Sequence, residues 1–583
     1  MPRLFLPLLA ALLMILALPA QAQRPQAAPS AYKALGAPNT PQVEVAWNRY
    51  YDHAGVTAIL QALEAAYPDL ATVESIGQSH EGRDLWVMTI TDPATGAHDT
   101  KPAMFIDAGI HANEIQTVEV ALYTAWYLLE SHATNAWIQD LLRTKTFYIA
   151  PGTSPDSRDA FFNEPNTANT PRTGQVPLDS DGDGLTDEDP PDDLDGDGHI
   201  TMMRREMPGG RWKTHPDDDR LMVFCEIDEA CGWEVWFTEG YDNDGDGVLN
   251  EDGDGYYDPN RNWGWGWAPN YTQRGSHHYP FSLPETRAVA DFIKAHPNIL
   301  GGQSYHNTGG MILRGPGVEG DPTYRSDDAV MQRIAEVGER MLPGYESLVI
   351  WDDLYTVYGG ETDWMYYHEG ILPFTNELFT PYNLFRTESE GGFFGAMADF
   401  YRFDELLLFG EGIVPWTEVE HPDWGTVEVG GMKKTFRRMP PSFLLEEEAH
   451  RNMAFTLLHA YELPVLEVVD VETKALGGGL TEVTATIVNR RTIPTRLEVD
   501  TEHGLTRPDW VTLSGAEVLA SGVKRSRLDD VFAPQAARPE RVSVEAVPGH
   551  SAVTVAWIVR GSGPYTVTVD SQKGGRATMR SDG

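Results

Sequence analysis

The stretch PAMFIDAGIHANE, residues 102–114, organises the reading of this chain. Met104, Phe105 and Ile106 form an apolar run that reads as a buried strand, ending through Ala108 and Gly109 in a loop. That loop carries His111 and Glu114, three residues apart, a spacing at which an imidazole and a carboxylate can reach one cation. A second strand-like run, ILGGQSY at 299–305, also ends in polar and small residues and delivers His306. Two imidazoles and a carboxylate hold zinc with a fourth position left for water, the donor set of catalytic rather than structural sites. With PNRNW at 259–263 and Glu377 in FTNEL at 374–378, the four motifs make metal-assisted hydrolysis the leading reading.

The chain has 583 residues, too many for one core, so two or more domains are expected. Met1 to Arg3, an apolar run over 4–18 and an Ala-x-Ala site ending at Ala22 read as a secretory signal peptide, residues 1–22. No later run is apolar enough to span a bilayer, so a secreted or periplasmic location without a membrane segment is expected. Residues 23–43, rich in Ala and Pro, read as a flexible leader. In an oxidising compartment Cys225 and Cys231 are close enough in sequence to close a small disulfide ring. The net charge is −43, and residues 178–258 alone carry 26 acidic and five basic side chains. Such an acid-rich chain repels phosphate backbones, which argues against a nucleic-acid partner.

The acid is patterned. Asp-x-Asp-Gly-Asp-Gly occurs three times, at Asp179, Asp181 and Asp183, at Asp193, Asp195 and Asp197, and at Asp242, Asp244 and Asp246. Oxygen ligands at positions 1, 3 and 5 with Gly at 6 are the first half of a calcium loop, and position 9 is Asp187, Thr201 and Asn250. Position 12 is Pro190, Arg204 and Gly253 instead of a bidentate Glu, so each ion must borrow carboxylates, with Asp189, Asp252, Asp254 and Asp258 as candidates. The loops resemble calcium repeats of dockerin or thrombospondin type more than paired EF-hands, and structural calcium is expected.

Laid end to end, the motifs resemble the zinc carboxypeptidase family of carboxypeptidase A and B type, from about Asn48 to about Tyr461. The resemblance implies an α/β/α sandwich around a mixed, largely parallel sheet, with residues 44–463 as the catalytic domain and 178–258 as an acidic insert. It implies His111, Glu114 and His306 as zinc ligands and Glu377 as general base. Asn260 and Arg261 match the clamp for a substrate's terminal carboxylate, where a guanidinium fork suits the task. For the arginine that polarises the scissile carbonyl, Arg204 is preferred over Arg205. Tyr355 aligns with the mobile tyrosine, and Thr362 with the position lining the side-chain pocket. Arg314, shortly after His306, hints at an anionic substrate group.

Helical periodicity runs over 55–67, 329–342 and 446–461, and IGQSHEGRDLWVMTI at 76–90 is similar to the family's early hairpin. Beyond Pro464, six alternating segments (LEVVDVET, LTEVTATIVN, RLEVD, RVSVEAV, AVTVAWIV, YTVTVDS) predict a β-sandwich of immunoglobulin or fibronectin type over 464–583. The functional expectation is an exported zinc metallocarboxypeptidase acting on peptides or proteins. Its rivals are a zinc amidase acting on γ-linked cell-wall peptides and a non-catalytic, calcium-stiffened binding protein.

Overall fold

The computed structural model describes residues 35–581 except 39, 173, 180, 181, 217, 227, 230, 254–256, 381–383, 386–396, 437, 527, 529 and 530. The signal-peptide reading of 1–22, most of the leader, Asp181 and Asp254 therefore lie outside the described residues. Pro41–Gly583 is one compact unit, separate from the residues before it.

Its centre is an eight-stranded mixed sheet in the order Ala71–Gln78, Asp84–Ile90, Thr146–Pro151, Ala103–Ala108, Ile299–Asn307, Leu372–Leu378, Met311–Arg314, Glu346–Val349. The four middle strands from Thr146 to Leu378 run parallel. They are buried on both faces, which explains why their sequences read as continuous apolar runs. Alternation sorts the side chains. Met104 and Ile106 join a core under the helices His53–Ala66, Gln116–Ser131 and Ser442–Tyr461. Ala103 and Phe105 join another with Val289, Phe292 and Trp364, from the helices Pro284–Ala295 and Glu361–Glu369. The result is the α/β/α sandwich. The three helical periodicities appear as His53–Ala66, Arg325–Met341 and Ser442–Tyr461.

The acidic insert contains ordered β-structure. Strands Met202–Gly210, Trp212–His215, Asp218–Phe224 and Cys231–Trp236 join Ile413–His421 and Gly425–Met432 in a six-stranded antiparallel sheet. A disulfide joins Cys225 to Cys231 beside it.

Residues 466–580 form two four-stranded sheets packed around Val483, Val511, Trp557 and Val567. Five of the six expected strands are present, and Asp509–Ser514, Glu517–Lys524 and Gly575–Arg580 are added to them. RLEVD is the exception: its residues enter the helix Glu498–His503. The cause is tertiary capping. Asp327 accepts the backbone N–H groups of Glu498 and Val499 at 2.7 and 3.0 Å, satisfying first-turn donors from outside the segment. Buried Lys573 ties the sandwich to the catalytic sheet, donating to Ile299 O at 2.6 Å and Glu369 O at 2.9 Å.

Candidate metal centre

His111 and Glu114 lie in the loop after Ala103–Ala108, and His306 lies near the end of the adjacent parallel strand, so the sheet brings all three to one edge. All are almost wholly buried, at 2 % exposure each. Glu114 Oε1 lies 3.0 Å from His111 Nδ1 and Glu114 Oε2 lies 3.1 Å from His306 Nδ1. The two Nδ1 atoms are 3.1 Å apart. Nitrogens about 2.0–2.1 Å from one tetrahedral zinc stand roughly 3.3 Å apart, so the donors present fit that ion. His111 Nε2 is 2.8 Å from Asp258 Oδ1, the outer carboxylate that orients a ligating imidazole. Asp258, a candidate calcium ligand from sequence, thus serves His111 instead.

Charge around the centre is balanced by arginines that the motifs did not reveal. Arg172 lies 3.2 Å from Glu114 and 3.4 Å from Asp258, and Arg438 lies 3.6 Å from Glu114. Arg172 is fixed beside the ligand loop because its carbonyl accepts the Ala112 N–H at 2.9 Å. Burial alone would lower the Arg172 guanidinium, but Asp258 and Glu114 outweigh it and hold it above its ordinary value. Burial likewise raises Glu114, yet His111 and His306 pull it well below the usual carboxylate range.

Glu377 pairs with His306 in the parallel register of the two strands and is the one part-exposed residue of Leu372–Leu378. Burial, then the charge of Glu114, pushes its carboxyl up to about 7. His306, Arg172 and Arg438 act on it in the opposite sense, so it faces the same cluster.

Asn260 is in the turn Pro259–Arg261, with Nδ2 3.4 Å from His306 Nε2 and Oδ1 accepting the Glu361 N–H at 2.9 Å. Arg261 follows it, buried, with a nitrogen 2.7 Å from Asn260 O. Tyr355 is 58 % exposed. Thr362 is buried and shares a 2.7 Å hydrogen bond with Thr375. Arg314 pairs with Asp328.

Arg204 is not brought to this centre. It sits in the six-stranded sheet, 2.6 Å from Glu428, with its guanidinium 4.5 Å from the Trp233 ring and 4.0 Å from the Trp416 ring. Arg205 pairs with Glu234 in the same sheet. Position 12 of the second acidic loop is a strand residue, and the arginines that lie beside Glu114 are Arg172 and Arg438. Nothing in the local sequence of Arg172, a polar Thr-Pro-Arg-Thr loop, marked it.

The first Asp of each acidic loop, Asp179, Asp193 and Asp242, accepts backbone N–H groups from the glycines at positions 4 and 6. Ligand oxygens converge in Asp193, Asp195 and Asp197, in Asp242, Asp244 and Asp246, and between loops in Asp183, Glu188 and Asp244. Asp187 and Asn250 hold equivalent positions with left-handed φ values of 55° and 58°. An antiparallel bridge between Asp189 and Asp252 joins the first loop to the third.

A family model described as zinc carboxypeptidase matches residues 56–176 and 240–391, leaving out most of the acidic insert. A domain of unknown function matches 465–581. Carboxypeptidase B of Astacus astacus is 37 % identical over 111 residues, 19 % of this chain and 34 % of that protein. The zinc carboxypeptidase of Saccharothrix mutabilis subsp. capreolus is 30 % identical over 108 residues, 18 % of this chain and 24 % of that protein. The aligned stretch thus spans about a third or less of these relatives. Carboxypeptidase A from Helicoverpa armigera aligns over 72 % of this chain and 74 % of its own, with 17 % identity and a TM-score of 0.44. By its family match, the chain belongs to the zinc carboxypeptidase family.

Proposed function

We propose that this protein is an exported metallocarboxypeptidase that removes C-terminal residues from peptides or proteins. The observation that carries the reading is the register pairing of Glu377 with His306, which sets a carboxylate beside the three metal-ligating side chains with Arg172 on the same cluster. Zinc held by His111, Glu114 and His306 would supply Lewis acidity toward water and the scissile carbonyl. Glu377 takes a proton from the attacking water and returns it to the leaving amine. Arg172 takes the role expected of Arg204, opposing negative charge as it develops on the carbonyl oxygen. Asn260 and Arg261 hold the terminal carboxylate, Tyr355 closes over the bound residue, and Thr362 lines its side-chain pocket.

The acidic loops are read as structural calcium sites, supported by the repeated turn of each first Asp and by the pairing of the first loop with the third. Export rests on residues 1–22. Among the described residues no helix is long and apolar enough to cross a membrane.

The test is release of C-terminal amino acids from a mixed peptide library by the wild type and by Glu377→Gln at equal zinc content. Loss of release in the variant supports the reading. Zinc-loaded wild type that spares ordinary peptides and cleaves γ-linked muropeptides replaces it with the cell-wall amidase. A chain that takes up no zinc would be a binding protein.

A further inference from the structure

Beneath the strand end that carries Asp107 lies a cavity of about 10 Å³, room for one water-sized occupant. It is bounded by the turn beginning at Pro259 and by the first turns of the helices Pro284–Ala295 and Glu361–Glu369. Its polar lining includes Asp107, Glu361, Glu285, Thr286, Ser154 and Trp263, and no Lys or Arg lines it among the described residues.

Two of its carboxyl groups, Asp107 and Glu361, lie within hydrogen-bond reach of each other and share a single hydroxyl. Ser304 Oγ is 3.2 Å from Asp107 Oδ2 and 3.1 Å from Glu361 Oε2, and one O–H can donate to only one of them at a time. The other oxygens, Asp107 Oδ1 and Glu361 Oε1, have no hydrogen-bond partner among the described residues, and neither has Thr286 Oγ1. These residues are 1 %, 1 % and 3 % exposed, so solvent does not satisfy them. Buried carboxylates paired with no Lys or Arg in the lining must be neutralised by a cation or by protons, and the basic group that bears on Asp107, His306, belongs to the proposed zinc centre.

We propose that this cavity is a second metal site, taking one hard divalent cation, calcium, on Asp107 and Glu361 with Thr286 and Ser154 as hydroxyl ligands. The two carboxylates match a divalent charge, the donors are all oxygen, and the space admits one atom-sized occupant. The site shares no ligand with His111, Glu114 and His306 and none with the acidic loops. Glu361 heads the helix whose first N–H is held by Asn260, so an ion here would tie the carboxylate clamp to the strand leading to His111. The indole N–H of Trp263, also unpartnered, defines the competing occupant: a water that accepts from Trp263 and donates to two carboxyls sharing a proton.

The experiment measures metal content of the full-length protein after loading with zinc and calcium and gel filtration into metal-free buffer. It compares wild type, Glu361→Gln and Thr286→Val. A crystal structure of the calcium-loaded wild type accompanies it. The expected result is one equivalent less calcium in Glu361→Gln at unchanged zinc, with a cavity atom whose oxygen contacts are about 2.3–2.6 Å. Equal calcium in wild type and Glu361→Gln, a cavity atom at water distances of roughly 2.8 Å, or sodium in place of calcium each overturns the proposal. If Glu361→Gln does not fold, Thr286→Val and the wild-type crystal decide: a calcium deficit or a short-contact ion supports the site, and the absence of both overturns it.

Discussion

Substituting Arg172 and Arg204 separately distinguishes the two arginines considered for the oxyanion role. Arg172 lies 3.2 Å from Glu114, inside the metal centre, whereas Arg204 is held by Glu428 and two indoles in another sheet. A unit positive charge about 4 Å from a developing oxyanion is worth roughly 4 kcal/mol at an effective dielectric of about 20. Arg172 is one-third exposed, so the lower part of the range for lost oxyanion donors applies, about 2.7 kcal/mol or roughly 100-fold in kcat. Arg172→Met should therefore lose about two orders of magnitude in kcat with its zinc retained. Arg204→Met breaks a mostly buried ion pair and two cation–π contacts. It should cost about 2–3 kcal/mol of stability, discounted because Glu428 is 27 % exposed, with kcat nearly unchanged. The assay is steady-state hydrolysis of the best peptide from the library, at equal zinc and below either variant's unfolding midpoint. An Arg172→Met enzyme with wild-type kcat, or a folded Arg204→Met enzyme that has lost it, would refute the reasoning.

Glu377→Gln should lower kcat by about 10²–10⁴ while zinc content, measured by mass spectrometry, stays at one equivalent. The base acts as carboxylate and burial raises it to about 7, so kcat/KM should fall as pH drops through an acid limb. Zinc favours the ionised form, so that limb should lie below 7 in the loaded enzyme, and a pH profile that stays flat through the acid range in Glu377→Asp would contradict the assignment. Asp258→Ala removes the partner of His111 Nε2 and should weaken zinc binding by about 10–100-fold in a chelator competition. Lys573→Met leaves the carbonyls of Ile299 and Glu369 without their donor and should lower the unfolding midpoint of the whole unit, read by circular dichroism. An unchanged midpoint would mean that the sandwich is not braced through this residue.

The proposed ligands His111, Glu114 and His306 and the proposed base Glu377 could be picked out from sequence because each sits at or just beyond the end of a doubly buried strand, where an apolar run gives way to a polar residue. Runs of that kind survive in sequence because parallel strands are buried on both faces. Arg172 and Arg438 were not legible, since both lie in irregular segments and acquire meaning only when the chain folds them against Glu114. The strand reading of RLEVD failed for a related reason: the period of two was real, but Asp327 from a distant helix caps those amides into a helical turn.

Arg204 shows what sequence adjacency can mislead about. Its place at position 12 of an acidic loop sets it next to a candidate calcium site in sequence, yet the strand Met202–Gly210 begins before it and carries it into a sheet whose two strands at one edge come from residues 413–432. In that sheet Glu428 lies directly across from it, and the buried charge is met by a carboxylate and two indole faces. The metal centre draws its cations from loops that the central sheet brings to its own edge, and Ala112 N–H to Arg172 O is the bond that fixes the nearer of them. The acidic loops and the arginine proposed for the oxyanion role are therefore separable in the fold. Stripping calcium while zinc stays bound should change kcat far less than Arg172→Met does, and an equal loss from both would restore the link between loop and catalysis.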